Sequence, residues 1–151
     1  MSQWFTGSGY ELAYDDLIKL IKEHSANGGK IFIGTDSFLT KRKCVFATAI
    51  CLHGGNLQGG RYFVQRHSVK ASKFKALLTR IMAEVEKTIF FALKIHETCP
   101  EAEIELHLDI GASTASGATA EYSDMLTGYA KSTGFSCKVK PDSWALSLIH
   151  I

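Results

Sequence analysis

Two aspartates that follow apolar runs are the residues of this chain whose type and spacing could do chemistry. Asp36 comes just after the apolar run 31–33, and Asp109 comes near the end of the alternating run 104–110. Both runs are typical of buried strands. An ionised carboxylate is costly to bury unless another group compensates its charge. Two such strands side by side would therefore form an acidic cluster of the kind that holds a divalent metal ion.

The chemistry of such a cluster follows from charge and ligand type. Two carboxylates about 4 Å apart repel each other by roughly 4 kcal/mol at an effective dielectric constant near 20. Without a cation, one of the two would have to take up a proton. Hard oxygen ligands favour Mg²⁺ or Mn²⁺. We therefore expect one of these metals between Asp36 and Asp109.

A simple order of secondary-structure elements would position these aspartates. The pattern predicts helices at 14–25, 72–97 and 118–133, strands at 30–36, 44–52, 61–69, 103–110 and 135–140, and the start of another helix at Pro141. The first eleven residues are expected to be irregular. Short turns join the first three strands, which indicates an antiparallel meander. The last two strands each follow a helix.

The long predicted helix offers two acidic candidates for a third ligand. Its apolar stripe centres on Ile81 and Val85, at helical spacing. Glu84 falls on the flank of this stripe, about 80° from its centre, whereas Glu86 lies about 120° away on the other side. A carboxylate that reaches the sheet should lie on the flank, so Glu84 is preferred. The alternative is that both are solvated helix charges.

The element order, with aspartates on the first and fourth strands, resembles the ribonuclease H-like superfamily. Four segments carry the resemblance, at 33–37, 80–84, 107–111 and 140–145, and together they resemble a poorly characterised bacterial and phage-type family of such domains. The resemblance implies an α/β fold with a five-stranded mixed sheet. Three antiparallel strands would be followed by two parallel ones, flanked by helices, with an extra N-terminal helix.

The resemblance also implies an activity. In nucleases of this superfamily, carboxylates from the first strand, the long helix and the fourth strand hold two metal ions that cleave a phosphodiester bond. Carried over to this chain, the catalytic and metal-binding residues would be Asp36, Glu84 and Asp109, with two ions of Mg²⁺ or Mn²⁺. Asp142 is the acidic candidate for a fourth metal ligand, although a helix N-cap suits it equally well.

Candidate substrate contacts surround the predicted acidic site. Ser37 and Ser113 border it, and the basic residues Lys41, Arg42 and Lys43 lie in the first hairpin turn. Lysine and arginine can neutralise phosphates of RNA, DNA or a hybrid. With a net charge of only +2, solvated loop charges are an equally good interpretation. His107 shares a strand face with Asp109, and a structural role is favoured for it over a substrate contact.

Three functional classes remain open. The leading hypothesis is a metal-dependent nuclease. The alternative is a catalytically inactive ribonuclease H-like module that binds nucleic acid or protein. Phosphoryl transfer on a nucleotide is disfavoured, because the chain carries no glycine-rich P-loop motif.

Length and composition indicate one domain over residues 1–151, with its core at about 14–145. The 151 residues suffice for a buried core without disulfides, and the four cysteines show no paired spacing, which predicts reduced thiols. We find neither a signal peptide nor a run of about 20 apolar residues. The expected location is therefore cytoplasmic.

The last six residues, 146–151, depart from the family pattern. Their sequence, Leu-Ser-Leu-Ile-His-Ile, resembles the translation of a transposase-type sequencing adapter. We expect a non-native tail that replaces the end of the last helix. The alternative is a genuine short helical tail.

Overall fold

The computed structural model describes residues 3–55, 60–111 and 122–149. The helices are α1 (Tyr14–Ala26), α2 (Leu77–Thr98) and α3 (Ser123–Lys131). The strands are β1 (Trp4–Thr6), β2 (Glu11–Leu12), β3 (Gly29–Leu39), β4 (Lys43–Gly54), β5 (Gly60–Lys70), β6 (Glu103–Gly111) and β7 (Ser136–Lys140). Two short 3-10 turns, Ala71–Lys73 and Trp144–Leu148, precede α2 and follow β7.

A single mixed sheet organises these elements, in the order β2-β1-β5-β4-β3-β6-β7. Strands β3, β4 and β5 pair antiparallel, and β6 and β7 continue the sheet in parallel with β3. The predicted succession of three antiparallel and two parallel strands is therefore confirmed. The predicted number of five strands is wrong, because the described residues form seven.

The two additional strands come from the segment that was expected to be irregular. Strand β1 pairs antiparallel with β2 and also with β5, through Phe5 opposite Val64. Trp4 is almost completely buried and packs edge-on against Phe91 of α2, with ring centroids 5.2 Å apart. Strands of two or three residues carry no readable alternation, and the pairing with β5 is distant in sequence. In the sequence, only the large apolar side chain of Trp4 could have indicated that this segment packs against the sheet.

The three helices cover one face of the sheet. Apolar side chains at helical spacing, such as Leu17 and Ile21 of α1 and Val85 of α2, meet Ile33 and Leu106 of the strands in one large core. Helix α2 lies over β3 and β6, which pair in parallel. Burial of an aliphatic side chain contributes about 1.5–3 kcal/mol. This packing holds α2, and any group on its inner side, firmly against the sheet.

The opposite face carries a smaller core. Phe32, Ala49 and Cys51 of the strands meet Ala145 and Ile149 near the C-terminal end of the described chain. The helix predicted to start at Pro141 is instead the 3-10 turn Trp144–Leu148. The expectation of a non-native tail at 146–151 stays a prediction, and its last two residues lie outside the described ones.

All four cysteines lie in described segments and are unpaired, three of them buried. Within the described segments, no helix is long and apolar enough to cross a membrane.

Candidate metal centre

Asp36 and Asp109 lie on neighbouring parallel strands at matching positions. The pairing of β3 with β6 runs from Lys30 opposite Glu103 to Gly34 opposite His107. Continued by two residues, the same register brings Asp36 beside Asp109, with both side chains on one face. Strand β3 does not end at Asp36 as predicted. It continues to Leu39, because its antiparallel pairing with β4 extends that far.

Glu84 reaches this point from α2. It is only 4% exposed, and its Oε2 accepts a 2.5 Å hydrogen bond from the Ser37 hydroxyl of β3. Its Oε1 is also buried but has no hydrogen-bond partner among the described residues. Glu86, the alternative on the same helix, is exposed. The preferred helical carboxylate is therefore the one that faces the sheet.

The three carboxylates form a compact group. Asp36, Glu84 and Asp109 each present an oxygen, and these oxygens lie within 4.8 Å of one another. Three hard oxygen donors at this spacing fit a divalent cation such as Mg²⁺. The unpartnered Oε1 of Glu84 supports the fit, because a buried carboxylate oxygen is costly unless a donor or a cation satisfies it. A bound cation would remove that cost.

Burial and mutual repulsion raise the proton affinity of two of these groups. Burial raises the pKa of Glu84 to about 9, and the charges of Asp109 and Asp36 add to the effect while the Ser37 hydrogen bond opposes it. Burial likewise raises the pKa of Asp36 to about 6, with further contributions from Asp109. The backbone N–H of Ser37 donates to Asp36 Oδ1 at 2.8 Å and partly offsets the rise. Without metal, Glu84 therefore retains its proton at neutral pH, and Asp36 releases its proton only above the usual range of an aspartate.

Lys140, which the sequence analysis did not single out, also belongs to the site. Its ammonium group forms an ion pair with Asp109 Oδ1. The hydrogen bond to Asp109 is the main cause of a raised Lys140 pKa, and the charges of Asp36 and Glu84 contribute. The sequence feature that could have indicated Lys140 is its position at the end of β7, the strand that follows the strand of Asp109 along the chain.

A chain of buried hydroxyls fixes α2 at the level of Glu84. Thr88 Oγ1 lies 2.9 Å from Thr35 Oγ1 of β3 and donates to the backbone carbonyl oxygen of Glu84 at 2.9 Å. Thr35 Oγ1 in turn lies 2.9 Å from Thr48 Oγ1 of β4. All three threonines are at most 3% exposed. The helix turn that carries Glu84 is thus connected to two strands by hydrogen bonds.

His107 connects the C-terminal segment to the sheet. The backbone N–H of Ala145 donates to its Nδ1 at 3.0 Å, so Nε2 carries the proton and donates to Glu105 Oε2 at 2.8 Å. The ring is fully buried, and burial lowers its pKa. Both ring nitrogens therefore have protein partners, which supports the structural interpretation of this histidine.

The remaining predicted residues have different surroundings. The Ser37 hydroxyl donates a hydrogen bond to Glu84, so Ser37 borders the group of three carboxylates. Lys41, Arg42 and Lys43 are exposed at the turn between β3 and β4. Asp142 is exposed, lies outside the group of three, and gives the following 3-10 turn no side-chain cap. The other predicted contact, Ser113, lies outside the described residues.

The comparisons with known proteins agree with the fold. A family model described as ribonuclease H-like matches residues 13–149. No curated protein and no solved structure gives a significant match.

Proposed function

Because the chain belongs to the ribonuclease H-like family, we propose that it is a metal-dependent nuclease that hydrolyses phosphodiester bonds at the three-carboxylate site. The observation that carries the proposal is the convergence of Asp36, Glu84 and Asp109, whose oxygens lie within 4.8 Å of one another. They come from two parallel strands and a helix, and nothing in core packing requires three acids there. Their joint burial has a physical reason if they hold cations.

The residues of the chain supply the ligands and their orientation. A pair of divalent ions, when bound, supplies an activated water and charge stabilisation for the oxygen that leaves phosphorus. Ser37 holds one oxygen of Glu84 and leaves the other without a hydrogen-bond partner among the described residues. The backbone N–H of Ser37 donates a hydrogen bond to one oxygen of Asp36. Both carboxylates are thereby oriented in advance, which lowers the cost of assembling the site.

We assign the substrate contacts by position. Lys41, Arg42 and Lys43 are exposed at the hairpin end of β3, at most on the order of 20 Å along the chain from Asp36. A nucleic-acid strand extends over such distances, so these side chains can neutralise phosphates on one side of the cleaved bond. Asp142 and Ser113 remain predictions as a fourth ligand and a substrate contact.

The test is cleavage of labelled oligonucleotides by purified protein in MgCl₂ or MnCl₂. We expect Asp36→Asn to reduce the rate at least about 100-fold, because it removes one anionic ligand while it preserves the shape of the side chain. Glu86→Gln is the matched control, since it removes a carboxylate from the exposed side of the same helix. Single-stranded and duplex RNA, DNA and hybrids serve as substrates.

Two outcomes would contradict the proposal. One is equal cleavage by Asp36→Asn and the unmodified protein, which would place the activity elsewhere or in a contaminant. The other is salt-sensitive binding of nucleic acid without cleavage in either metal. That result would favour the catalytically inactive binding module.

A further inference from the structure

The acidic site contains a positive charge of its own. Lys140 closes β7, where the pairing with β6 shifts between His107 and Gly111, and it comes to lie opposite Gly111. Its ammonium group pairs with Asp109, and the charges of Asp36 and Glu84 also act on it. The side chain remains 56% exposed. It thus contacts Asp109 while more than half of its side chain remains in solvent.

The side chain of Lys140 is positively charged, as a metal ion bound at this position would be. An ammonium group is a compact cation on a flexible four-carbon stem. It contacts Asp109, one of the three groups whose oxygens lie within 4.8 Å of one another. A divalent ion bound there would compete for the same carboxylate and would repel the ammonium group at close range. The two cations therefore cannot both be held in their most favourable positions.

We propose that Lys140 is a built-in counter-cation of the acidic site, which a divalent ion must displace from Asp109 before the site is loaded. The proposal rests on the proposed function, since it takes the three carboxylates as the metal ligands. Lys140 is then a positioning and regulating residue. It balances part of the negative charge in the metal-free protein, and it sets the ion concentration at which metal binds.

The experiment measures metal affinity rather than cleavage. Isothermal titration of the full chain with MgCl₂ or MnCl₂, at about 0.15 M ionic strength to screen distant charges, compares the unmodified protein with Lys140→Met. We expect the variant to bind metal about tenfold more tightly, because the competing charge is gone. Lys140→Arg keeps the charge and should stay within about threefold of the unmodified protein, since metal must still displace a cation there.

Lys138→Met provides the matched control. Lys138 lies two residues earlier on the same strand, is exposed, and pairs in register with His107. The Lys138→Met variant removes the same charge from the same strand without removing the ion pair with Asp109. We expect its metal affinity to stay within about twofold of the unmodified protein. Equal or weaker metal binding by Lys140→Met, or an equal gain in Lys138→Met, would overturn the proposal.

A measurement on the unmodified chain does not depend on any variant folding. The amine of Lys140 can be acetylated with a soluble active ester and quantified by mass spectrometry, with Lys138 as the internal reference. Saturating MgCl₂ should increase acetylation of Lys140 several-fold, because the ion pair with Asp109 is broken. Unchanged or reduced acetylation would contradict the displacement.

The two proposals fail in different ways. A protein that binds metal more tightly after Lys140→Met but cleaves nothing would contradict the nuclease and retain the counter-cation. A protein that cleaves nucleic acid, but whose metal affinity is unchanged by Lys140→Met, would support the nuclease and contradict the counter-cation.

Discussion

At the residue scale, the fold brings together acidic side chains whose ionised forms are disfavoured by burial. Glu84 is almost completely buried, and Asp36 is half-buried beside Asp109. Burial disfavours the charged carboxylate, so both groups hold their protons more strongly than they would in water. Without a cation, such a site destabilises the fold at any pH where its buried carboxylates are charged. Such perturbed groups cluster at functional sites more often than elsewhere.

The raised pKa values predict how pH acts on the metal-free protein. Between pH 4 and 9 the folded state holds protons that the unfolded chain would release, since the pKa of Asp36 is raised from 3.8 to about 6 and that of Glu84 from 4.5 to about 9. Their contribution to the free energy of unfolding is therefore largest at the acidic end of this window and decreases as pH rises. Metal binding must expel these protons.

We accordingly expect stabilisation by Mg²⁺ to increase with pH. The melting temperature measured with and without MgCl₂ at pH 5.5, 7 and 8 should show a small difference at pH 5.5 and a larger one at pH 8. The Glu84→Gln variant should lose most of this pH dependence, because it removes the group with the largest shift. A Mg²⁺ effect that is the same at all three pH values would contradict the assignment of these ligands.

At the element scale, the close approach of β3 and β6 depends on Gly34. A Cβ at this position would lie 2.9 Å from the backbone oxygen of His107 and 2.9 Å from Leu146 Cδ2. The backbone oxygen cannot move without displacing β6. The pair Gly34 and His107 is also the last regular one before the two aspartates. Any side chain at Gly34 would therefore separate the strands just before the site.

The Gly34→Ala variant tests this dependence. We expect it to reduce the free energy of unfolding by about 1–3 kcal/mol and to weaken Mg²⁺ binding, since Asp36 and Asp109 would move apart. Gly128→Ala in α3 is the control, because a Cβ there meets nothing within 4 Å. It should leave metal binding unchanged and stabilise the helix by roughly 0.5–1 kcal/mol. Urea unfolding and calorimetric titration measure both effects.

The helix that carries Glu84 shows what periodicity can predict. Positions on the flank of the apolar stripe distinguish Glu84 from Glu86, and the structure has Glu84 buried and Glu86 exposed. The start of the helix was less predictable. It begins at Leu77 rather than at 72, after a 3-10 turn at Ala71–Lys73. The side chains of 72–76 suit a helix, but Phe74 packs on Phe46, with ring centroids 5.2 Å apart, and tertiary packing outweighs weak local propensity.

At the scale of the whole molecule, the two faces of the sheet are covered unequally. Three helices pack on one face, and the other carries the segment around the 3-10 turn Trp144–Leu148. His107 anchors that segment through Ala145. It also packs against the rings of Phe32 and Trp144, with ring centroids 5.1 and 5.2 Å apart. His107 therefore connects the smaller core to strand β6.

We expect His107→Phe to reduce the free energy of unfolding by about 2–4 kcal/mol. The variant keeps an aromatic ring but leaves the Ala145 N–H without an acceptor and Glu105 without its donor. Amide hydrogen exchange at Ala145 should become much faster. His96→Phe on the exposed side of α2 should change stability by less than about 0.5 kcal/mol. Unchanged exchange at Ala145 in His107→Phe would show that the segment is held by other contacts.

The sequence by itself determined most of the sheet, the long helix and the choice of the three acids. Alternating and helical apolar patterns predicted strands β3 to β7 and helix α2, because burial selects side chains at fixed periods. The two apolar runs that each lead to an aspartate predicted that Asp36 and Asp109 would meet. These features are local, so they can be read along the chain.

Only the tertiary structure decided the groups that surround those acids. Lys140 meets Asp109 through a shift in strand register, Ser37 turns its hydroxyl toward Glu84, and β1, which carries the edge strand β2, pairs with the distant β5. Each contact joins residues far apart in sequence, and a single lysine, serine or two-residue strand has no periodicity to reveal it. The acids of a candidate site can be predicted from a sequence pattern, but their partners are set by how the strands and helices pack.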